Sequence, residues 1–448
     1  MHNRTEQFLN DPVFPLLIRM SAPNTIAFFI QAIVVLAEVW FISKLGTTSL
    51  AAVALAFPVI MLTQQMAFGA LGGAVTSSIA RSLGAEDKER AEKLLWHSLL
   101  LSCCGYLLFF LIFFIGGESL LMALGGEGSL LEESLLYIKI FLTGAIFIWL
   151  SGMLSAALRG IGNMRFPALL MIVGSGIQVI LAGGLILGWF GLPKLGIIGA
   201  PLSAISVAAL MAIVMILKFM HSSSNVQLKL SNLSFKKELF RDIFNVALPA
   251  SLAPIFTVGT ILILTGLVGQ FGVSALAGYG IGSRIEFLMI PLVFGIGTAM
   301  TTMVGTNIGA KKVERAERIG WLGGSFAGLF SGMIGLMLIL SSSYWINFFA
   351  TDQATYEVTK QYIEIVGLCF TFQGLGLSLY FASQGANAMK WPIIATVIRF
   401  VVAALGGWIA VNWFSSGIAG VFYAAASAMT IYGVMLVLSL KLGAWRSN

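Results

Sequence analysis

The chain has 448 residues, 58% of them hydrophobic and 10% charged, with a formal net charge of +7 and a mean hydropathy of +0.94. Soluble domains carry about 25% charged residues, and a soluble protein this apolar would expose patches far beyond the few hundred Å² that monomers tolerate. The composition excludes a soluble enzyme and points to an all-α protein whose solvent is the bilayer. Its three cysteines, Cys103, Cys104 and Cys369, sit in apolar runs. Their spacing suits neither a disulfide framework nor a zinc site, and they read as small packing residues.

The first residues, His2 to Asp11, are polar, with no short apolar core and cleavage site. The first apolar stretch is therefore expected to be a retained signal-anchor helix. A span needs about 20 mostly apolar residues. In chain order, helices are expected near 14–42, 50–80, 94–116, 132–157, 166–190, 196–218, 241–268, 275–305, 318–341, 357–382, 392–413 and 418–440. The polar stretch between the sixth and seventh includes Ser222-Ser223-Ser224-Asn225. The expected division is a six-helix lobe over 1–221, a cytoplasmic linker over 222–240 and a second six-helix lobe over 241–448.

The basic residues test that count. With these spans, twenty of the 26 Lys and Arg fall on one side of the membrane, including Arg81, Lys88, Arg90, Lys229, Lys236, Lys311, Lys312 and Arg315. Lys44, Lys139, Lys194 and Lys360 fall on the other, and Arg284 and Arg399 lie within spans. By the positive-inside rule both termini are cytoplasmic and the number of spans is even. The positive charge is a topology signal and gives no reason to expect nucleic acid.

The halves repeat. Leu50–Pro58 follows Pro23 at the spacing at which Leu276–Arg284 follows Pro249. "SLGAEDKERAEK" (Ser82 to Lys93) returns as "NIGAKKVERAER" (Asn307 to Arg318), "RGIGNMRFP" (Arg159 to Pro167) as "QGANAMKWP" (Gln384 to Pro392), and "LGIIGAP" (Leu195 to Pro201) as "SGIAGVF" (Ser416 to Phe422). The offset stays near 221–226 residues. Six helices per half make these parallel repeats, an arrangement that places a substrate site between two lobes and works by rocking them.

"AEVWFISKLGTTSLAAVALAFP", "GTNIGAKKVERA", "ALRGIGNMRFP" and "LGIIGAP" together resemble the multidrug and toxic compound extrusion (MATE) family over essentially the whole chain. The resemblance implies a V-shaped pair of six-helix lobes around a cavity. It also implies a monomer that exports amphipathic, often cationic compounds from the cell across the inner membrane, driven by proton or sodium entry and needing no other cofactor.

Ionisable groups within spans are rare, costly and functional by default. Glu38 leads. Asn24, Gln31 and Glu38 are spaced by seven and share one helix face, which should meet water or another helix. The 226-residue offset maps them onto Ala250, Thr257 and Leu264, so the polar stripe belongs to the first half alone. In the MATE family an acid, usually Asp, stands at the position of Glu38 and takes part in cation coupling. Many members carry an Asn and an Asp four apart in the fifth helix; here the positions read Gln178 and Ala182. Acids used by the branch with a second-lobe cation site, in the seventh and tenth helices, are missing, and the seventh helix reads as having no acid. The resemblance is closest to the DinF-like branch, with one carboxylate instead of two. Sodium prefers a cage of oxygens, whereas burial makes a lone carboxylate a ready proton site. Protons are the favoured ion and sodium the alternative.

Arg284 and Glu286 are two apart and do not share a face. With Arg399 they are candidates for an intramembrane ion pair tying the eighth helix to the eleventh, or for substrate contact. Gln64, with Asn24, Gln31 and Gln178, is a cavity candidate; Gln65, Gln373 and Gln384 could line a cavity or bond between helices. The 19 Met and 33 Phe suit either an adaptable cavity or ordinary packing. Pro23 and Pro249 are hinge candidates, because proline removes a backbone hydrogen bond. Competing readings are a lipid-linked oligosaccharide flippase, an intramembrane enzyme and a channel. Against an enzyme, His2, His97 and His221 lie near the terminus or loops, and no metal-ligand cluster or GxxxxGK[ST] loop is present.

Overall fold

The computed structural model describes residues 4–221, 226–234, 236–286, 289–349 and 352–446. Among these, twelve helices are long and apolar enough to cross a membrane. They are α1 Val13–Ser43, α2 Thr47–Gly84, α3 Lys88–Ala123, α4 Gly128–Gly160, α5 Arg165–Leu187, α6 Gly196–Met220, α7 Lys237–Gly269, α8 Ile290–Gly309, α9 Val313–Leu340, α10 Gln353–Gly385, α11 Lys390–Asn412 and α12 Gly417–Lys441. The expected count is met. The eighth differs in detail: a separate helix, Val273–Glu286, precedes α8. Ser222 to Asn225 of the expected linker lie outside the described residues.

By packing, the chain forms two units, Ile26–Ala247 and Met1–Thr25 with Leu248–Asn448. The divisions fall inside α1 and α7, two residues from Pro23 and one from Pro249, and not in the linker. Each proline stands within an unbroken helix. The packing units and the sequence repeats therefore do not coincide, because the start of each half's first helix packs with the other half's body.

Each unit is held by the same hydrogen bonds at the repeat offset. In the first, Thr76 Oγ1 donates to the Ala156 carbonyl at 2.9 Å and Ser134 Oγ to Ala52 at 3.2 Å. In the second, Thr301 donates to Phe381 at 2.8 Å and Thr359 to Gly278 at 3.2 Å. The turns match too: Glu86 and Lys311, 225 apart, have φ of 61° and 60°. Buried hydroxyls that reach a neighbouring helix's carbonyl satisfy themselves and lock helix register. Small residues let the backbones meet. A Cβ added at Gly385 would lie 2.5 Å from the Thr301 carbonyl oxygen, and one at Gly160 would lie 2.9 Å from that of Thr76.

Polar clamps fix the segments that precede α1 and α7. In the second unit the short helix Arg4–Asn10 buries Phe8. Asn307 Nδ2 and Arg315 Nε donate to the Phe8 carbonyl, both at 3.1 Å. In the first unit Asn232 Nδ2 donates to Glu92 Oε2 at 2.5 Å, the backbone N–H of Lys236 to His97 Nε2 at 3.1 Å, and Trp96 Nε1 to the Lys229 carbonyl at 3.0 Å. The seventh helix does carry an acid. Asp242, in its second turn, meets Arg81 at 2.7 Å and Arg90 at 3.0 Å. It lies inside the span expected over 241–268, so the expectation of a seventh helix without acids is corrected, and Glu238 in the first turn is a second acid.

Two predictions follow from this packing. Gly385→Ala forces a backbone clash and should cost about 1–3 kcal/mol, whereas Gly116→Ala, with nothing within 4 Å of its Cβ, should be neutral; thermal unfolding in detergent separates them. In the same assay Asp242→Ala, which strips a largely buried arginine of its carboxylate, should cost about 3 kcal/mol. Asp11→Ala, whose pair with Arg19 is 3.5 Å long and exposed, should cost under about 1 kcal/mol.

Candidate functional site

The polar face of α1 divides between the two units. Asn24 Nδ2 donates to Thr298 Oγ1 of α8 at 3.1 Å, within the second unit. Gln31 and Glu38 belong to the first and both turn to α5: Ser175 Oγ donates to Gln31 Oε1 at 3.0 Å and Gln178 Nε2 to Glu38 Oε1 at 2.8 Å. Ser175 and Gln178 are three apart and share a face of α5. Both sets of contacts advance in the same sense, so α1 and α5 run parallel, as two odd-numbered spans must. Asn24 keeps its place on the α1 face it shares with Gln31 and Glu38, but its bond goes to α8 and not to α5.

Two further groups complete the surroundings of Glu38. Ser203 of α6, whose hydroxyl donates to the Ala200 carbonyl at 2.7 Å, and Tyr137 of α4, 7% exposed, both lie within electrostatic reach. Neither stood out in the sequence, where a serine and a tyrosine in apolar runs look like packing residues. Only the fold brings α4, α5 and α6 around one point of α1. Where the resemblance implied a second acid, Ala182 is fully buried in the core beside Phe41 and Ile186. Glu38 is thus a single carboxylate with one neutral donor, Gln178, and uncharged polar neighbours. Among the described residues no group of three or more His, Cys, Asp or Glu could hold a metal ion.

The other candidates stand elsewhere. Gln64 is exposed on α2, immediately before a π-helical stretch, Gln65–Leu71, and is not hydrogen-bonded to Glu38. Gln373 and Gln384 are buried within α10, the packing use. Cys369, half-buried, accepts from Thr430 at 3.4 Å, and Cys103 and Cys104 are exposed, so none of the three cysteines is fully buried. The arginine–glutamate pairing in the second half is not formed: among the described residues no N···O approach within 4.0 Å joins Glu286 to Arg284 or Arg399. Arg284 is exposed. Glu286 instead accepts from Tyr362 Oη at 2.8 Å, and the Arg399 guanidinium sits 5.3 Å from the centre of the Tyr432 ring. A phenol can stabilise a carboxylate without a second buried charge, and an aromatic face can take an arginine.

Comparison with known proteins agrees with this architecture. The MatE family model matches residues 23–182 and 249–409, once in each half. A probable multidrug resistance protein NorM of Thermotoga maritima is 24% identical over 437 residues, 96% of this chain and 93% of its own. An FAD transporter of Shewanella oneidensis is 26% identical, covering 90% of both chains, and the multidrug export protein MepA of Staphylococcus aureus is 26% identical, covering 95% of both. Among solved structures, a MOP superfamily transporter from Pyrococcus furiosus, described as having a binding pocket of reverse polarity, superposes with a TM-score of 0.91 at 24% identity, over 98% of this chain and 97% of its own. A multidrug resistance MATE transporter in an outward-facing conformation gives 0.90 at 24% identity, over 100% of this chain and 99% of its own. These structures share the fold. The repeated segments, the twelve spans and the family match in both halves lead to one conclusion: the chain belongs to the MatE family, the multidrug and toxic compound extrusion transporters, and is a multi-pass membrane transporter and not an enzyme.

Proposed function

We propose that the chain is a proton-driven exporter of amphipathic, cationic small molecules, with Glu38 exchanging a proton for the substrate's positive charge. The observation that carries this reading is the 2.8 Å hydrogen bond from Gln178 to Glu38 in surroundings that offer one neutral donor and no second acid. Such a carboxylate gains or loses a proton without stranding another buried charge. A sodium ion would want several oxygens at once, and the amide of Gln178 presents nitrogen to the carboxylate. Gln31, tied to α5 one stretch along the same face, and Tyr137 shape the site.

With the termini on the cytoplasmic side, the cycle runs as follows. A cation held against the ionised Glu38 loses its counter-charge when a proton arrives from outside, and leaves outward. The emptied protein returns, delivers the proton inward and reloads. Only a difference in affinity between the two states drives net transport. Pro23 and Pro249, next to the unit boundaries in α1 and α7, are where those helices would bend. A monomer suffices, since each half supplies its own core. The multidrug names of relatives from Thermotoga and Staphylococcus support the substrate class.

The test is dye uptake into inside-out vesicles under an imposed pH or sodium gradient, comparing the native protein with Glu38→Gln. Proton-driven uptake should fall at least tenfold in the variant. Uptake driven by sodium alone would overturn the choice of ion. Equal uptake by the variant would overturn the role of Glu38. FAD, the cargo in the name of the Shewanella relative, is the counter-substrate: transport of FAD and not of the dye would overturn the cationic class.

A further inference from the structure

We infer that the second half carries its own exchangeable carboxyl group, Glu286 held by Tyr362, so that the transporter binds one coupling proton in each half. This rests on the reading of Glu38 as a proton site and extends it to a group outside that site.

Glu286 is the last described residue of the helix Val273–Glu286, about 20 Å along it at 1.5 Å per residue. Gly282 lies one turn earlier on the same face. A Cβ there would collide with the Tyr362 ring, so the glycine lets the ring approach the helix closely. From that seat the phenol reaches the next turn and donates to Glu286 Oε2 at 2.8 Å. The ring is 3% exposed and wedged at edge angles against Tyr279, 5.6 Å away, and Phe422, 5.1 Å away. A carboxyl group in such apolar surroundings is costly to keep, and packing alone would be better served by an aliphatic residue.

The charged and titratable neighbours are few. Tyr279 comes from the same helix, Tyr362 from α10, and Arg399 from α11, within electrostatic reach but docked on the Tyr432 ring of α12. Arg284 is exposed. The direct partner of Glu286 is thus a neutral donor, the chemistry found at Glu38.

The repeat makes the likeness specific. Tyr362 is 225 residues from Tyr137, the tyrosine beside Glu38. Three residues earlier in each helix, Ser134 and Thr359 make the equivalent bond to a carbonyl. Equivalent tyrosines thus each neighbour a carboxyl group, yet the two carboxyls come from different helices. Leu264 occupies the position of Glu38 in the second half and Ile60 that of Glu286 in the first. The two acids stand at different repeat positions, one in each half, beside the equivalent tyrosine. A proton taken up by Glu286 neutralises the carboxylate that Tyr362 holds, which distinguishes the two states.

Two protons entering for one monovalent cation leaving move a net charge, whereas one for one does not. Exchange is measured in proteoliposomes at a fixed pH gradient, with the membrane potential set by potassium and valinomycin and a monovalent cationic dye as substrate. The native protein should respond to the potential. Glu286→Gln should keep pH-driven exchange and lose at least three-quarters of the potential dependence. Tyr362→Phe, which removes one oxygen, should displace the pH profile and keep the potential response. Potential-independent exchange by the native protein overturns the inference, as does an undiminished response in Glu286→Gln. Should Glu286→Gln fail to fold, an unchanged pH profile in Tyr362→Phe overturns it. Glu38→Gln is read separately by its loss of pH-driven exchange, so failure of the Glu38 reading is distinguishable from failure at Glu286.

Discussion

A carboxyl group placed in apolar surroundings must be either solvated by its neighbours or neutral. That constraint organises the first half of this transporter. Glu38 is reached by an amide from α5, with a hydroxyl on α6 and a phenol on α4 close by. None of these carries a charge at neutral pH, which suits the proton exchange proposed for this group. A buried arginine or lysine in the same place would hold the carboxylate ionised and end its use as a proton carrier. Where a permanent pairing serves structure, the chain supplies arginines: Asp242 is gripped by Arg81 and Arg90 at the start of α7.

The two halves are alike in scaffold and unlike in chemistry. Thr76 and Thr301, and Ser134 and Thr359, make the same interhelical bonds, so helix register is common to both. The polar stripe of α1, the Asp242 clamp and the Glu286–Tyr362 pair each occur once. The frame is common to both halves, and the sites are not. The reciprocal placement of the first turns of α1 and α7, each packed with the other half's body, links the halves through continuous helices that contain Pro23 and Pro249.

Much of this was legible in the sequence. Composition and the sidedness of lysine and arginine yield twelve spans, because hydrocarbon imposes a length and a charge rule that a linear reading can apply. The offset repeats yield the two halves. Glu38, Gln31 and Asn24 stand out because a spacing of seven is visible within one helix. Partners on other helices have no such signature. Tyr137, Ser203 and Tyr362 were hidden among apolar neighbours, and Glu286 was assigned an arginine by charge where the fold provides a phenol. Periodicity groups Asn24 with Gln31 and Glu38 on one helix face but does not reveal that its bond goes to α8 rather than α5. One signal could have pointed to the tyrosines: Tyr137 and Tyr362 are identical residues at the repeat offset.

The central claim is that Glu38 trades a proton for the substrate. Substrate-induced proton release tests it most directly: a cationic dye is added to the purified protein in weakly buffered detergent, and the released protons are counted with a pH indicator. The native protein should release protons in proportion to the dye bound, and Glu38→Gln should bind less dye and release about one proton fewer per dye bound. Release that is the same in both proteins, or absent from the native protein while it binds dye, would contradict the account.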